Sequence, residues 1–140
     1  MNSYQVSGYV GEFSLIQNGS AFHIVPKASK NASGFFEDRR SLLDYRVTFD
    51  NRRRTALEML EALTLSISQA SSRRTVVGTI PQNVLRQTFV QDGAGNESAR
   101  AVLVRTLAAT HRQLSWQLLC DPNQPPFCAL NLYFAEMAKE

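Results

Sequence analysis

Near the C-terminus, two runs alternate so regularly that they dictate their own pairing. Leu114, Trp116, Leu118 and Cys120 share one face of the first run, and Cys128, Leu130, Leu132 and Phe134 share one face of the second. Period-two alternation marks a strand with one buried face. A hairpin looped by residues 121–127 sets Cys120 opposite Cys128, Leu118 opposite Leu130 and Trp116 opposite Leu132. A slip of one residue would turn every one of these side chains to water, so the register is strongly specified. The sequence predicts a C-terminal hairpin with Trp116 buried in it.

Upstream, one order of elements occurs twice. Leu43, Tyr45, Val47 and Phe49 alternate with polar residues and read as a half-buried strand. Ala56, Met59, Leu60, Leu63 and Ile67 then recur at helical spacing. Thr55-Ala56-Leu57-Glu58 fits a capping box, in which each end residue satisfies a backbone N–H of the other. This helix fades over 69–72, and a strand over 75–80 follows, stopped by Pro81. A strand over 87–90, a turn at Asp92-Gly93-Ala94-Gly95 and a helix capped by Asn96 repeat the order. Ala99, Val102, Leu103 and Leu107 form the stripe of that helix, with Glu97 in its first turn, and the strand from Leu114 closes the unit. Thr48-Phe49, Ala56 and Met59-Leu60 are echoed by Thr88-Phe89, Ala99 and Val102-Leu103, a weak internal repeat.

The first third carries a hairpin of its own. Asn18-Gly19 is a favoured pair for a two-residue turn, because both central residues need positive φ. Pairing about it sets Leu15 opposite Phe22 and Phe13 opposite Ile24, with Ser14 and His23 on the other face. Pro26 ends the strand by removing a donor, and 27–38 reads as a connecting loop. The expected architecture is α+β: an N-terminal β-hairpin, two β-α-β units and a C-terminal β-hairpin, with two helices packed on small sheets. Residues 1–38 form the hairpin and loop, and 39–140 the repeated domain, together one compact unit. With 140 residues, 44% hydrophobic and 19% charged, the chain has ordinary globular composition and the length to bury a core without metal or disulfide. No apolar run approaches the ~18 residues of a spanning helix. The segment Met1 to Gly8 lacks the basic-then-apolar pattern of a signal peptide, so either the chain has none or it has been removed.

Charge is concentrated in the middle. Lys+Arg number 15 and Asp+Glu 12, a net charge of +3, yet every arginine lies between Arg39 and Arg112, where only six acids accompany them. Arg52-Arg53-Arg54 stand directly before the first helix, where cations oppose the helix dipole by ~0.5 kcal/mol. Guanidinium forks beside backbone N–H groups make an anion or acidic-partner site there. The alternative is a solvated loop whose arginines point away. Nucleic acid is not the expected partner, because no aromatic residue is interleaved with the three arginines as a stacking platform.

Catalytic signatures are lacking. No Gly-x-Ser-x-Gly elbow, His-Glu-x-x-His pair or Walker phosphate loop occurs. Gly93-Ala94-Gly95 lacks the third glycine of a dinucleotide fingerprint, Ser98 standing in its place. His23 falls on a strand's outward face and His111 in the last turn of a helix, where a cation suits the dipole. Neither is read as catalytic, and no cofactor is expected. No close Cys or His pair seeds a zinc site, so no metal is expected either. Cys120 and Cys128 suit a disulfide in an oxidising compartment; two buried free thiols are the alternative. The sequons at Asn18, Asn31 and Asn96 are discounted, since Asn18 and Asn96 already have turn and cap roles.

Taken in order, Val47-Thr48-Phe49, Ala56-Leu57-Glu58-Met59-Leu60, Val76-Val77, Thr88-Phe89-Val90, Ala99-Arg100-Ala101-Val102-Leu103 and Leu114-Ser115-Trp116-Gln117-Leu118 resemble a known family. It is the short N-terminal domain shared by secretins and TonB-dependent signalling receptors. The likeness is one of pattern. Where that family has a Gly-x-Gly-like turn after its second helix, this chain has Ala109-Thr110-His111-Arg112, and the N-terminal hairpin lies outside the pattern. The resemblance implies two helices packed between small sheets, in a non-enzymatic bacterial module that is periplasmic or secreted and docks other proteins. It transfers no site residue. The expected function is therefore a protein-interaction module, with Arg52, Arg53 and Arg54 as candidate contacts for an acidic partner. A weak anion- or nucleic-acid-binding domain using the arginine-rich middle, and a small hydrolase with a dispersed site, are the alternatives.

Overall fold

The computed structural model describes residues 12–18, 21–30, 36–38, 41–121 and 127–135. The chain divides into two units, Met1–Asp44 and Tyr45–Glu140. In the first unit, β1 (Glu12–Asn18), β2 (Ala21–Lys30) and β3 (Phe36–Asp38) form an antiparallel sheet in the order β1-β2-β3. The expected hairpin is present, but its register is shifted. Leu15 lies opposite Ile24 and Asn18 opposite Ala21, two residues from the expected pairing, while the expected turn residue Gly19 lies outside the described residues. A slide of two residues preserves the parity of the pairing, which is why the alternation tolerates it. Pro26 does not end β2: it faces Phe13 beside an irregularity in β1, and proline is admitted to sheets at such breaks. The expected loop over 27–38 instead supplies the end of β2 and, through β3, a third strand pairing Ala28 with Asp38. Leu43 lies in a 3₁₀ turn, Leu42–Asp44, where Asp44 N–H donates to the Ser41 carbonyl and Leu43 N–H to Ser41 Oγ.

The second unit runs β4 (Arg46–Thr55), α1 (Ala56–Ser71), β5 (Arg74–Val77), α2 (Gln82–Gln87), β6 (Phe89–Ser98), α3 (Ala99–Ala108), β7 (Leu114–Asp121) and β8 (Phe127–Phe134). The two strand-helix-strand passages are β4-α1-β5 and β6-α3-β7. Their first strands pair with each other as the antiparallel sheet β4-β6. Their second strands flank β8, in the order β5-β8-β7, with β5 parallel and β7 antiparallel to it. The fold is α+β, as the pattern predicts. No described helix is long and apolar enough to cross a membrane.

Helix α1 is the centre of this unit and touches β4 in one sheet, β5 in the other, and α3. Thr55 and Glu58 make the expected capping box. Ala56, Met59, Leu60, Leu63 and Ile67 are fully buried, and Val102 and Leu103 of α3 with Leu130 and Leu132 of β8 complete the core. Ser72, in the left-handed region at φ 58°, ends α1. Ser68 Oγ then accepts the Thr75 N–H at 2.8 Å and ties the helix to β5. Strand β5 is shorter than predicted because Asn131 intrudes: its Oδ1 accepts the Thr79 N–H at 2.8 Å. A Cβ at Gly78 would lie 2.1 Å from that oxygen, so only glycine lets Asn131 approach. Helix α2 escaped the sequence reading. Its six residues bury one side chain, Leu85, too few for a helical period to show.

The largest correction concerns Asp92-Gly93-Ala94-Gly95. These residues are not a turn. They lie inside β6, opposite β4, at two irregularities: Phe49 pairs with Ala94 and Arg52 with Asp92, leaving Asp50 and Asn51 against Gly93 alone. A Cβ on Gly93 would sit 2.5 Å from the Asp50 carbonyl oxygen, hence the glycine. At the other break Asn96 adopts φ 53°, tolerable for asparagine, with its N–H on Thr48 Oγ1. Ser98 therefore caps α3 in place of Asn96, accepting the Ala101 N–H. Gly93→Ala should destabilise the protein by about 1–3 kcal/mol, since the bulge must open to admit the methyl. Gly95→Ala, with nothing within 4 Å of the added carbon, should stay within about 0.5 kcal/mol. Equal denaturation midpoints for the two variants would contradict this reading of the bulge.

Candidate functional site

The three arginines are not in a loop before the helix. They form the end of β4, where alternation sends neighbours to opposite faces. Arg54 points inward and is only 3% exposed. Its Nη1 donates to the carbonyls of Asp50 (2.6 Å) and Asp92 (2.9 Å), and its Nη2 to Asp50 Oδ1 (2.6 Å). The guanidinium lies 5.2 Å from the Phe49 ring centroid. A planar fork with several donors suits this position, because the bulge frees carbonyls from both strands at once. Arg54 is thus a structural residue and not available to a partner. Arg53 takes the outward face, its guanidinium 4.8 Å from the centroid of Phe89, which is itself 58% exposed. Arg52 is exposed, with Asp50 Oδ2 at 3.8 Å. Beside them Gln91 donates to Asn51 across the strands.

Phe89 is the residue that a linear reading misses. No aromatic is interleaved with the arginines in sequence, yet strand pairing carries Phe89 from β6 to Arg53. Only knowledge of the β4-β6 partnership would have revealed it. The outward face of this sheet therefore offers the Arg53 guanidinium and an aromatic ring, while Arg52, two residues before Arg54, is exposed on the other side beside Asp50. Among the described residues no carboxylate pairs with Arg53.

Behind this face, charges alternate. Arg105 of α3 donates to both carboxylate oxygens of Asp92 (2.7 and 3.4 Å), to the Gly93 carbonyl (3.0 Å) and to Glu97. Partial burial pushes the Asp92 carboxyl up, but hydrogen bonds from Arg105 and the Gly93 N–H, with the charges of Arg105 and Arg54, hold it below the usual aspartate range. Asp50 is held low chiefly by its hydrogen bond from Arg54, against some desolvation. Arg105 is pushed up by the same bond to Asp92.

The cysteines lie where the hairpin register sets them. Cys120 and Cys128 are directly opposite and their sulfurs are joined, with Cα atoms 4.0 Å apart. Leu118–Leu130, Trp116–Leu132 and Leu114–Phe134 complete the register. Trp116 is half-buried and not enclosed as predicted; among the described strands, β7 pairs with β8 alone. Arg100 lies over it at 5.8 Å from the ring centroid. The other face of this sheet carries the exposed Leu119 (59%), Phe127 and Tyr133 among the polar Ser115, Gln117 and Asp121. His111 lies past the end of α3, exposed at φ 55°, and not in its last turn. His23 lies in β2, opposite Ile16. Among the described residues no three His, Cys, Asp or Glu side chains gather to hold a metal ion. No family model, curated protein or solved structure matches the chain.

Two outcomes follow. Arg54→Ser should lower stability by about 2–3 kcal/mol, since carbonyls of both strands lose a charged donor, whereas Arg53→Ser should change it by less than about 0.5 kcal/mol; equal losses in chemical denaturation would refute the assignment. A depressed carboxyl stabilises the fold above its unfolded pKa and loses that contribution as pH falls through the folded value. Stability should hold from neutrality to mild acid and fall below the ordinary aspartate value of 3.8. Asp92→Asn should flatten that acid limb, and an unchanged limb would contradict the pairing with Arg105.

Proposed function

We propose that this chain is a non-enzymatic protein-interaction module that acts outside the cytoplasm, of the kind found at the N-termini of secretins and TonB-dependent signalling receptors. The reading rests above all on the exposed Arg53–Phe89 stack, with Arg52 exposed on the same strand. A guanidinium over an aromatic ring, with no carboxylate of its own among the described residues, is a ready contact for an acidic protein surface. The family reading is supported by the order of the second unit. Two strand-helix-strand passages give a two-stranded and a three-stranded sheet, and α1 touches both. The Cys120–Cys128 bridge supports an oxidising compartment.

Binding of a labelled Asp/Glu-rich peptide tests the contact. Affinity should fall with added salt, and the double variant Arg52→Ser/Arg53→Ser should bind roughly fivefold to tenfold more weakly with an unchanged unfolding midpoint. Full affinity in the double variant would remove the arginine face from consideration. Tighter binding of single-stranded DNA at physiological salt would favour the nucleic-acid alternative, and saturable turnover of a small molecule would make the chain an enzyme. For the compartment, intact mass with and without reductant should reveal the bridge in protein matured in a periplasm; two freely alkylatable thiols there would contradict it.

A further inference from the structure

The arginines of β4 are matched unequally. Arg46 Nη1 donates to the Asn96 carbonyl at 2.8 Å, Arg52 lies beside the Asp50 carboxylate, and Arg54 is held by carbonyls of both strands. Arg53 has the Phe89 ring and, among the described residues, no acceptor for any of its guanidinium N–H groups. The register explains the pair. Arg53 stands opposite Gln91 and Thr55 opposite Phe89, so Arg53 and Phe89 are diagonal neighbours on one face of the ribbon. A guanidinium is planar, with two faces and an edge of donors. Phe89 lies against one face, and the residue as a whole is exposed.

What stands next to the guanidinium narrows the partner. Gln91 Nε2 donates to Asn51 Oδ1 at 2.8 Å, which leaves Gln91 Oε1 as an acceptor and Asn51 Nδ2 as a donor among the described residues. Both residues are exposed. Such a pair matches one C=O and one N–H of a peptide backbone, but only where that backbone is not already bonded to itself, as it is within a helix. The carboxylates close by are engaged, Asp50 with Arg54 and Glu58 Oε1 with the Thr55 N–H. A nucleic-acid strand would ask instead for a row of cations along its phosphates, and beside Arg53 stand two neutral amides.

We propose that this face takes an extended acidic segment of another protein, with an aromatic residue two positions from a carboxylate. The proposal rests on the acidic-partner reading of Arg53 and adds what that partner must carry besides charge. The carboxylate bonds in plane to the edge of the guanidinium, and the aromatic ring stacks on the face that Phe89 leaves. The two groups must come from one side of the segment. In an extended chain, residues i and i+2 share a side and stand roughly 6.7 Å apart, whereas neighbours point opposite ways. Selectivity then resides in the planarity of the guanidinium. An ammonium at the same place would attract the carboxylate but offer the ring no flat surface.

Fluorescence anisotropy of the full chain with end-labelled acidic peptides of one length and net charge tests this. Peptides containing Asp-Ser-Phe should bind about threefold to fivefold more tightly than peptides with Leu in place of Phe. The reordered Asp-Phe-Ser should lose that preference. Arg53→Lys should bind the three alike, with circular dichroism and the unfolding midpoint unchanged. Arg112, whose guanidinium lies 5.0 Å from the Phe134 ring centroid in the other sheet, is the control, and Arg112→Lys should keep the preference. In NMR spectra of the wild-type protein, the Arg53 side-chain protons should move upfield with the Phe peptide and not with the Leu peptide. Equal affinity of the wild-type protein for the two would overturn the proposal and leave the acidic contact standing. A preference that survives Arg53→Lys, or that Arg112→Lys abolishes, would put the ring elsewhere and overturn it too. Binding of none of the peptides would remove the acidic contact itself, and the proposal with it. A single-stranded oligonucleotide that outcompetes the Phe peptide, and loses that advantage in Arg53→Lys, would assign the stack to nucleic acid instead.

Discussion

The buried guanidinium of Arg54 organises the second unit. Arg54 donates to carbonyls of both β4 and β6 at the point where their ladder is broken. Without such a donor, the broken ladder would carry unmet carbonyls beside the core, at a cost of about 1–3 kcal/mol per group. Both helices are referred to this point. Thr55, the next residue, caps α1. Asp92, whose carbonyl accepts from Arg54, gives its carboxylate to Arg105 of α3. Helix α1 then meets β4 and β5, and the apolar stripe it presents, from Ala56 to Ile67, becomes the centre of the core.

The same device explains how adjacent arginines serve different ends. In a strand, neighbours face opposite ways, so a run of like residues is divided by the fold between interior and surface. Arg54 faces in and holds the bulge; Arg53 faces out and covers Phe89. The exposed pair is set on a rigid support because its inward neighbour fixes the strand beneath it. A ligand contact on such a ribbon gains by being preorganised, since little side-chain freedom remains to be lost.

Much of this was legible in the residues. Period-two alternation set the β7-β8 register to the residue, including the cysteine pair, because one face of each strand is apolar throughout. The stripes of α1 and α3 and the Thr55–Glu58 box were equally plain. What escaped was non-local. Gly93, Gly95 and Asn96 carry turn chemistry, yet the same residues serve a bulge, and nothing nearby in sequence distinguishes a chain that turns from one that kinks and goes on. Read as a turn, these residues cut the strand short, place the cap at Asn96 and hide the pairing of β4 with β6. The position of Phe89 under Arg53 was hidden with it. The parallel pairing of β5 with β8 spans a separation that no local pattern records.

The central claim is that the ribbon and the two helices leaving it form one cooperative piece pinned at Arg54. Native-state hydrogen exchange addresses this at the two junctions, where Ala56 N–H is bonded to the Thr88 carbonyl and Ala99 N–H to the Tyr45 carbonyl. Both amides should exchange only through global unfolding, with the same free energy as the amides of Leu60 and Leu63, and the Arg54 guanidinium protons should be slowed with them. Exchange at the junctions through a local opening well below the global free energy, with a freely exchanging Arg54 guanidinium, would contradict the account.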